Sequence, residues 1–146
     1  MNATELAFPD ESFNNIICVE AAFHFNTREK FFHEASRVLK PGGRLVLSDI
    51  LRRCQEVANP RGVAENYVRD LSHYRNLCFN AGFEQVEIID ATFECWVSRH
   101  QHALRFLRNQ LHSGKIDRPT FIRRQRRSKR NQTSSYYVLV SARKAD

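Results

Sequence analysis

The sequence predicts an α/β fold built on an open, mainly parallel sheet, and three features predict it. Val38-Leu39-Lys40-Pro41-Gly42-Gly43 leads directly into Leu45-Val46-Leu47. A proline disfavours the helical basin for the residue before it, and the two glycines can reverse the chain at positive φ. The apolar run beyond them suits a strand covered on both faces. A second run of the same kind, Ile16-Ile17-Cys18-Val19, lies upstream. Between the two, Phe31, Phe32, Ala35, Val38 and Leu39 recur at helical spacing. Strand, helix, strand is a βαβ unit, whose crossover is right-handed. Ser48-Asp49 then puts polar groups at the carboxyl edge, where open α/β sheets hold their ligands.

Residues 1–10 read as a loop, and Phe8-Pro9-Asp10-Glu11-Ser12 is rich in turn formers. Residues 13–19 form the first strand. So apolar a strand needs neighbours on both sides, and nothing before it supplies one, so the chain is expected to begin partway through a fold. Asn26 or Thr27 caps the first helix, with Glu29 placed for a capping box with Asn26. Arg28, Lys30, Glu34 and Arg37 are expected to point away from the sheet. Residues 44–48 form the second strand. The polar stretch that follows, with Asn59-Pro60 and Gly62, reads as a loop or lid. Tyr67, Leu71, Tyr74, Cys78 and Ala81 form a helical stripe ended by Gly82. Residues 83–90 are the third strand. Trp96, His100, Leu104, Leu107 and Leu111 predict another helix, up to Ser113-Gly114. Asp117 caps a short helix with Pro119 in its first turn, and residues 135–142 close the chain as a fourth strand.

At 146 residues and 42% hydrophobic content, the chain suits one domain with its own core. No apolar run reaches the length of a membrane span, and the first residues lack a signal-peptide pattern, so a cytoplasmic setting and no membrane partner are expected. Cys18, Cys54, Cys78 and Cys95 contain no CxxC pair and read as buried free thiols. His73, His100, His102 and His112 have no metal-ligand spacing. The net charge of +7 is local: residues 99–130 hold eleven Lys and Arg against one acid, Asp117. The sharpest part, residues 123–130, reads as a solvated helix face, an anion-binding surface or a surface for an acidic partner. Without a recognisable reader module, nucleic acid is not an expected partner.

Several segments in order resemble one family: Leu6-Ala7-Phe8-Pro9-Asp10-Glu11-Ser12-Phe13, Cys18-Val19-Glu20-Ala21-Ala22-Phe23-His24-Phe25, Ala35-Ser36-Arg37-Val38-Leu39-Lys40-Pro41-Gly42-Gly43, Asn80-Ala81-Gly82-Phe83 and the final strand. They resemble the class I S-adenosyl-L-methionine-dependent methyltransferases, in the small-molecule branch that methylates sterols, quinones and macrolide sugars. The resemblance implies a Rossmann-like sheet of seven strands with an antiparallel last strand. The four strands here would be the fourth to seventh. The family's glycine-rich GxGxG turn, which cradles the methionine part of the cofactor, has no counterpart, since no Gly precedes Gly42. Residues 1–146 are therefore expected to be the C-terminal part of a methyltransferase domain. Residues 1–50 would be its βαβ core, 51–66 a lid or loop, and 67–146 the helix-strand-helices-strand portion. Such a piece is expected to be inactive alone and to need a complementing N-terminal chain or self-association. The alternative is a non-catalytic remnant or binding module.

The resemblance also implies site residues. Asn2-Ala3 takes the place of an Asp-Ala pair that holds the adenine amino group, and an Asn carbonyl can accept the same hydrogen bond. Glu20 and Ala21 would lie beside the cofactor, or Glu20 is a cap or a solvated carboxylate. His24 is the candidate to orient or deprotonate a small-molecule acceptor, against a structural histidine. Asp49 would line the acceptor side, against a solvated strand end. Tyr67 and Tyr74 would cover the pocket.

Overall fold

The last strand of the chain inserts antiparallel between two others, and this insertion sets the architecture. In the computed structural model, which describes residues 2–52 and 66–146, four strands form one sheet in the order β1-β2-β4-β3. They are β1 (Phe13–Val19), β2 (Leu39–Arg52), β3 (Phe83–Asp90) and β4 (Ser135–Lys144). β1 and β2 are parallel, with Ile16 opposite Leu45 and Val19 opposite Ser48. β4 runs antiparallel to β2 and to β3. The strands and the antiparallel last strand agree with the sequence expectation.

β2 extends to Arg52, past the Ser48-Asp49 end expected for it, because β4 pairs along it as far as Arg52 opposite Ser135. Ser48 and Asp49 thus sit inside β2, level with the end of β1. The Pro-Gly-Gly turn is absorbed into the start of β2. Pairing jumps from Phe13 opposite Leu39 to Asn15 opposite Arg44, and residues 40–43 bulge out between them. Gly42 has φ +70, and a Cβ on Gly43 would stand 2.8 Å from the Lys40 carbonyl. A larger residue at either position would break the bulge.

α1 (Arg28–Val38) and α2 (Leu71–Asn80) cover one face of the sheet. Phe32 and Tyr74 meet edge-on, 5.4 Å apart, above Leu45 and Leu47, and all four are buried. Thr27 is the α1 cap, accepting from the Lys30 amide at 3.3 Å, so the Asn26 capping box does not form. Two expected solvent-facing groups are instead clamps. The Glu34 carboxylate accepts from the Leu6 amide at 2.8 Å, and Arg37 donates to the Leu6 and Phe8 carbonyls and to Asp10. Arg28 is buried outright, at 4% exposure.

α2 begins later than its stripe predicted. Asp70 caps it by accepting from the His73 amide at 2.7 Å, so Tyr67 lies ahead of the helix. Ala81 and Gly82 (φ +86) end it as expected. After β3, a π-turn (Phe93–Val97) leads into α3 (Ser98–His112). Asp117 caps α4 (Arg118–Ser134) through the Thr120 amide at 2.9 Å, and that helix is longer than the short one anticipated. Nδ1 of His100 on α3 lies 2.7 Å from the Ser128 hydroxyl on α4.

The other sheet face corrects the expectation of strands covered on both sides. Ile17, Val19, Val46, Ile89 and Leu139 are all exposed, Ile17 at 76%. Their register places them together on the face opposite Leu45 and Leu47. The loop or lid expected at 51–66 falls largely on residues 53–65, outside the described residues. No helix among the described residues is long and apolar enough to cross a membrane.

Candidate functional site

The site is built where β1 stops and β2 and β4 continue. At that point Glu20 takes φ +48, a left-handed conformation that costs a residue with a Cβ. The turn is held because the Glu20 amide donates to both the Ser48 carbonyl (3.0 Å) and the Ser48 hydroxyl (3.1 Å). Strain fixed in this way at a strand end tends to mark a functional position. The Glu20 carboxylate stays exposed, and one oxygen accepts from the Tyr137 hydroxyl at 2.8 Å.

Tyr137 is on β4 opposite Ile50, on the same face as Ser48. Its backbone is pinned from the β3 side: its amide donates to the Thr92 hydroxyl and its carbonyl accepts from the Ala91 amide, both at 2.9 Å. Its ring meets Trp96 edge-on at 6.0 Å. Burial raises the Tyr137 hydroxyl above the usual phenol range; the Glu20 carboxylate adds to this while Ser48 works against it. Cys95 is nearby, and its thiol is raised by burial and by the charges of Glu94 and Glu20. A raised thiol is protonated at neutral pH and is no nucleophile. Glu20, Ser48 and Tyr137 are therefore a carboxylate, a hydroxyl and a neutral phenol on one polar edge, able to hold and orient an O–H or N–H group.

The remaining sequence candidates are scattered. Ala21 follows Glu20, and Ala3 shares with it a groove of about 420 Å³ along the outer side of β1 that Phe13, Ile17, Val19 and Phe25 also line. The Asn2 side-chain carbonyl already accepts from the Thr4 amide (3.1 Å) and hydroxyl (2.9 Å). His24 ends a short 3-10 turn, exposed, its ring tilted against Phe23 at 4.1 Å. Tyr67 is half-buried just before α2.

Asp49 is neither a solvated strand end nor open to a ligand in this structure; it points into the core. It is fully buried, and both its oxygens are filled. Arg28 Nε (2.6 Å) and the Tyr74 hydroxyl (3.0 Å) donate to one, Arg28 Nη2 (3.2 Å) and the Ile50 amide (2.8 Å) to the other. Arg28 also donates to the backbone of Asn66 and Ile50, and Asn66 donates to the Ala22 and Phe25 carbonyls. The cluster locks the turn carrying His24 to the start of α2. Tyr74 is fully buried in this core; burial first, then the Asp49 charge, pushes its hydroxyl well above the ordinary value.

Sequence reasoning missed Tyr137 and Arg28. Tyr137 left one signal, a phenol within an aliphatic strand, since a Tyr hydroxyl packed in such a place usually finds a partner. Arg28 left none, because a first-turn arginine reads the same whether it faces solvent or a carboxylate on another strand.

An open α/β half-sheet with an inserted antiparallel strand and a polar carboxyl edge is a Rossmann-like arrangement, which many unrelated activities use. The comparisons with known proteins place it further. Residues 1–47 match the family model described as a methyltransferase domain. A methyltransferase of Streptomyces halstedii (GfsG) is 34% identical over 101 residues, which covers 62% of this chain and 36% of that protein. The (+)-O-methylkolavelool synthase of Herpetosiphon aurantiacus is 35% identical over 97 residues, with 62% and 34% covered. Among solved structures, phosphoethanolamine N-methyltransferase 2 of Haemonchus contortus superposes with a TM-score of 0.71 at 17% identity, over 99% of this chain and 36% of that one, which shows the fold. Over the matched residues the chain is similar to the class I S-adenosylmethionine-dependent methyltransferases of the small-molecule branch, and it corresponds to part of their domain. It spans about a third of the length of the first two of these relatives.

Proposed function

We propose that this chain forms the acceptor-facing half of an S-adenosylmethionine-dependent methyltransferase that acts on a small molecule. The observation that carries the reading is the Glu20–Ser48–Tyr137 cluster at the end of β1. The cofactor, when bound, supplies an electrophilic methyl group on a sulfonium. The chain's residues position the nucleophile. Glu20 gives one oxygen to Tyr137, and its other oxygen has no hydrogen-bond partner among the described residues, so it can accept from the acceptor's O–H or N–H. Holding the acceptor in line accounts for much of the rate, and a base is needed only where the acceptor must lose a proton. Glu20 is the first candidate for that proton and exposed His24 the second. Ala3 and the backbone at Glu20 and Ala21 form one wall of the cofactor site, Asn2 stands beside it through its Thr4-bound carbonyl, and Tyr67 stands on the acceptor side.

The grip on the cofactor comes from outside these 146 residues. Support for this comes from the open sheet face, where Ile17, Val19, Val46, Ile89 and Leu139 are exposed together. Aliphatic surface of that kind calls for a covering layer. In this reading the cofactor-holding half packs there and beside β1, whether as an adjoining stretch of polypeptide or as a separate chain.

Calorimetry with S-adenosylmethionine tests the reading in two arms. The 146-residue chain alone is expected to show no micromolar binding, and such binding would overturn the division into halves. A chimaera carrying the first three strands of the Streptomyces halstedii relative is expected to bind and to transfer a labelled methyl group to a hydroxyl or amine acceptor panel, with Glu20→Gln reducing transfer about a hundredfold. A chimaera that binds the cofactor but methylates nothing would refute the catalytic role and favour a binding module.

A further inference from the structure

A cleft of about 270 Å³ opens between α3 and α4. Trp96, Arg99 and Phe106 line it from one side, and Arg124, Arg127 and Ser128 from the other. Neither helix carries a carboxylate; from Ser98 to Ser134 the only acid is Asp117, which is engaged as the α4 cap. Arg99, Arg124 and Arg127 have no salt bridge among the described residues. Three guanidiniums brought together in a concave site without counter-charge repel one another, and an anion relieves that repulsion.

The cleft has a definite frame. The His100–Ser128 contact at 2.7 Å ties the helices together beside it. Arg99 lies over the Trp96 ring, 5.3 Å from its centroid, so its fork is held by a cation–π contact. The Trp96 Nε1–H group is buried with no acceptor. An orphaned indole donor is costly in a folded protein, and this one belongs to a residue that lines the cleft. Trp96 also joins the cleft to the reaction edge, because its ring packs on Tyr137, whose hydroxyl donates to Glu20.

From this arrangement we infer that the α3–α4 cleft is the subsite for an oxyanion carried by the methyl acceptor, a phosphate or carboxylate held by Arg99, Arg124 and Arg127 while the acceptor's nucleophilic end reaches Glu20. The inference rests on the methyltransferase reading for the identity of the ligand, but not for its charge. Arg forks match phosphate and carboxylate oxygens in bidentate pairs, so both sources fit the geometry.

Trp96 is the only tryptophan in the chain, so its fluorescence reports on the cleft directly. The chain is titrated at matched ionic strength with glycerol 3-phosphate, succinate and glycerol. One or both anions should give a saturable change and glycerol none, and the stronger of the two identifies the oxyanion. The pair Arg124→Gln and Arg127→Gln should weaken that binding about tenfold. The pair Arg105→Gln and Arg108→Gln, which removes the same charge away from the cleft, should leave it within about twofold. No saturable change with either anion, or equal loss in both variant pairs, overturns the subsite. The titration contains no cofactor, so its failure leaves the methyl-transfer reading standing, and failure of the chimaera leaves the anion result standing.

Discussion

Removing the Asp49 carboxylate should destabilise this fold more than any other single change to a polar side chain. Asp49 is at 0% exposure and Arg28 at 4%. Among the described residues, Asp49→Ala leaves the guanidinium with only the Asn66 and Ile50 carbonyls as acceptors, and the Tyr74 hydroxyl with none. Breaking a buried ion pair from one side costs about 3–5 kcal/mol, because the surviving charge is left uncompensated. The stranded Tyr74 hydroxyl adds a penalty of about 1 kcal/mol or more, though the two overlap and are not summed. A loss near 4 kcal/mol is expected, against a total of about 5–15 kcal/mol for a domain. Urea unfolding followed by circular dichroism measures it. The paired change Arg28→Met with Asp49→Leu removes both charges and should recover more than half of the loss, as buried pairs often replace neutrally with apolar groups. A single-variant loss below about 1 kcal/mol, or a double variant no better than the single, would refute the assignment of Asp49 to structure.

Other consequences follow from the same contacts. Arg37's hydrogen bonds, aided by the Leu6 amide, hold the Glu34 carboxyl down at about 2 against an ordinary 4.5. A depressed carboxyl stabilises the fold above its unfolded value and loses that contribution as pH falls. The clamp on residues 6–10 should therefore loosen from about pH 4.5 down to 2, read from the Leu6 amide resonance, and Glu34→Gln should abolish the transition. Tyr74 has the opposite sign: its raised hydroxyl favours the fold below pH 10, and stability should fall as pH rises past that point, an effect lost in Tyr74→Phe. Gly43→Ala should cost about 1–3 kcal/mol in urea unfolding, because its Cβ meets the Lys40 carbonyl at 2.8 Å and the Asn14 carbonyl at 3.1 Å. Burial pushes the Cys78 thiol up to about 12, so it should resist a thiol reagent in the native chain and react on unfolding.

Local chemistry made much of this protein readable in advance. The apolar residues at 16–19 and at Val86, Ile88 and Ile89 fell in strands over 13–19 and 83–90 as expected, because β-branched residues bounded by turn formers have few other structures available. Asp117 and Gly82 bounded their helices because capping is decided within a turn or two of sequence. The ordered segments that resembled a methyltransferase pointed to the family whose model matches residues 1–47, since a family signature is itself a property of sequence order.

What depended on distant residues was not readable. Tyr67 continued a helical stripe that the Asp70 cap cut short. Arg28 looked like a solvent-facing residue until β2 brought Asp49 beneath it, 21 positions away in sequence. Glu20 and Tyr137 are separated by 117 positions and meet only because β4 enters the sheet beside β2. The sequence by itself determined most of the elements and the family likeness, because propensities, caps and hydrophobic periods act over a few residues. Only the tertiary structure decided which charges are buried in the core and which polar groups share the edge where β1 ends, because those pairings depend on strand order, and strand order is a property of the whole sheet.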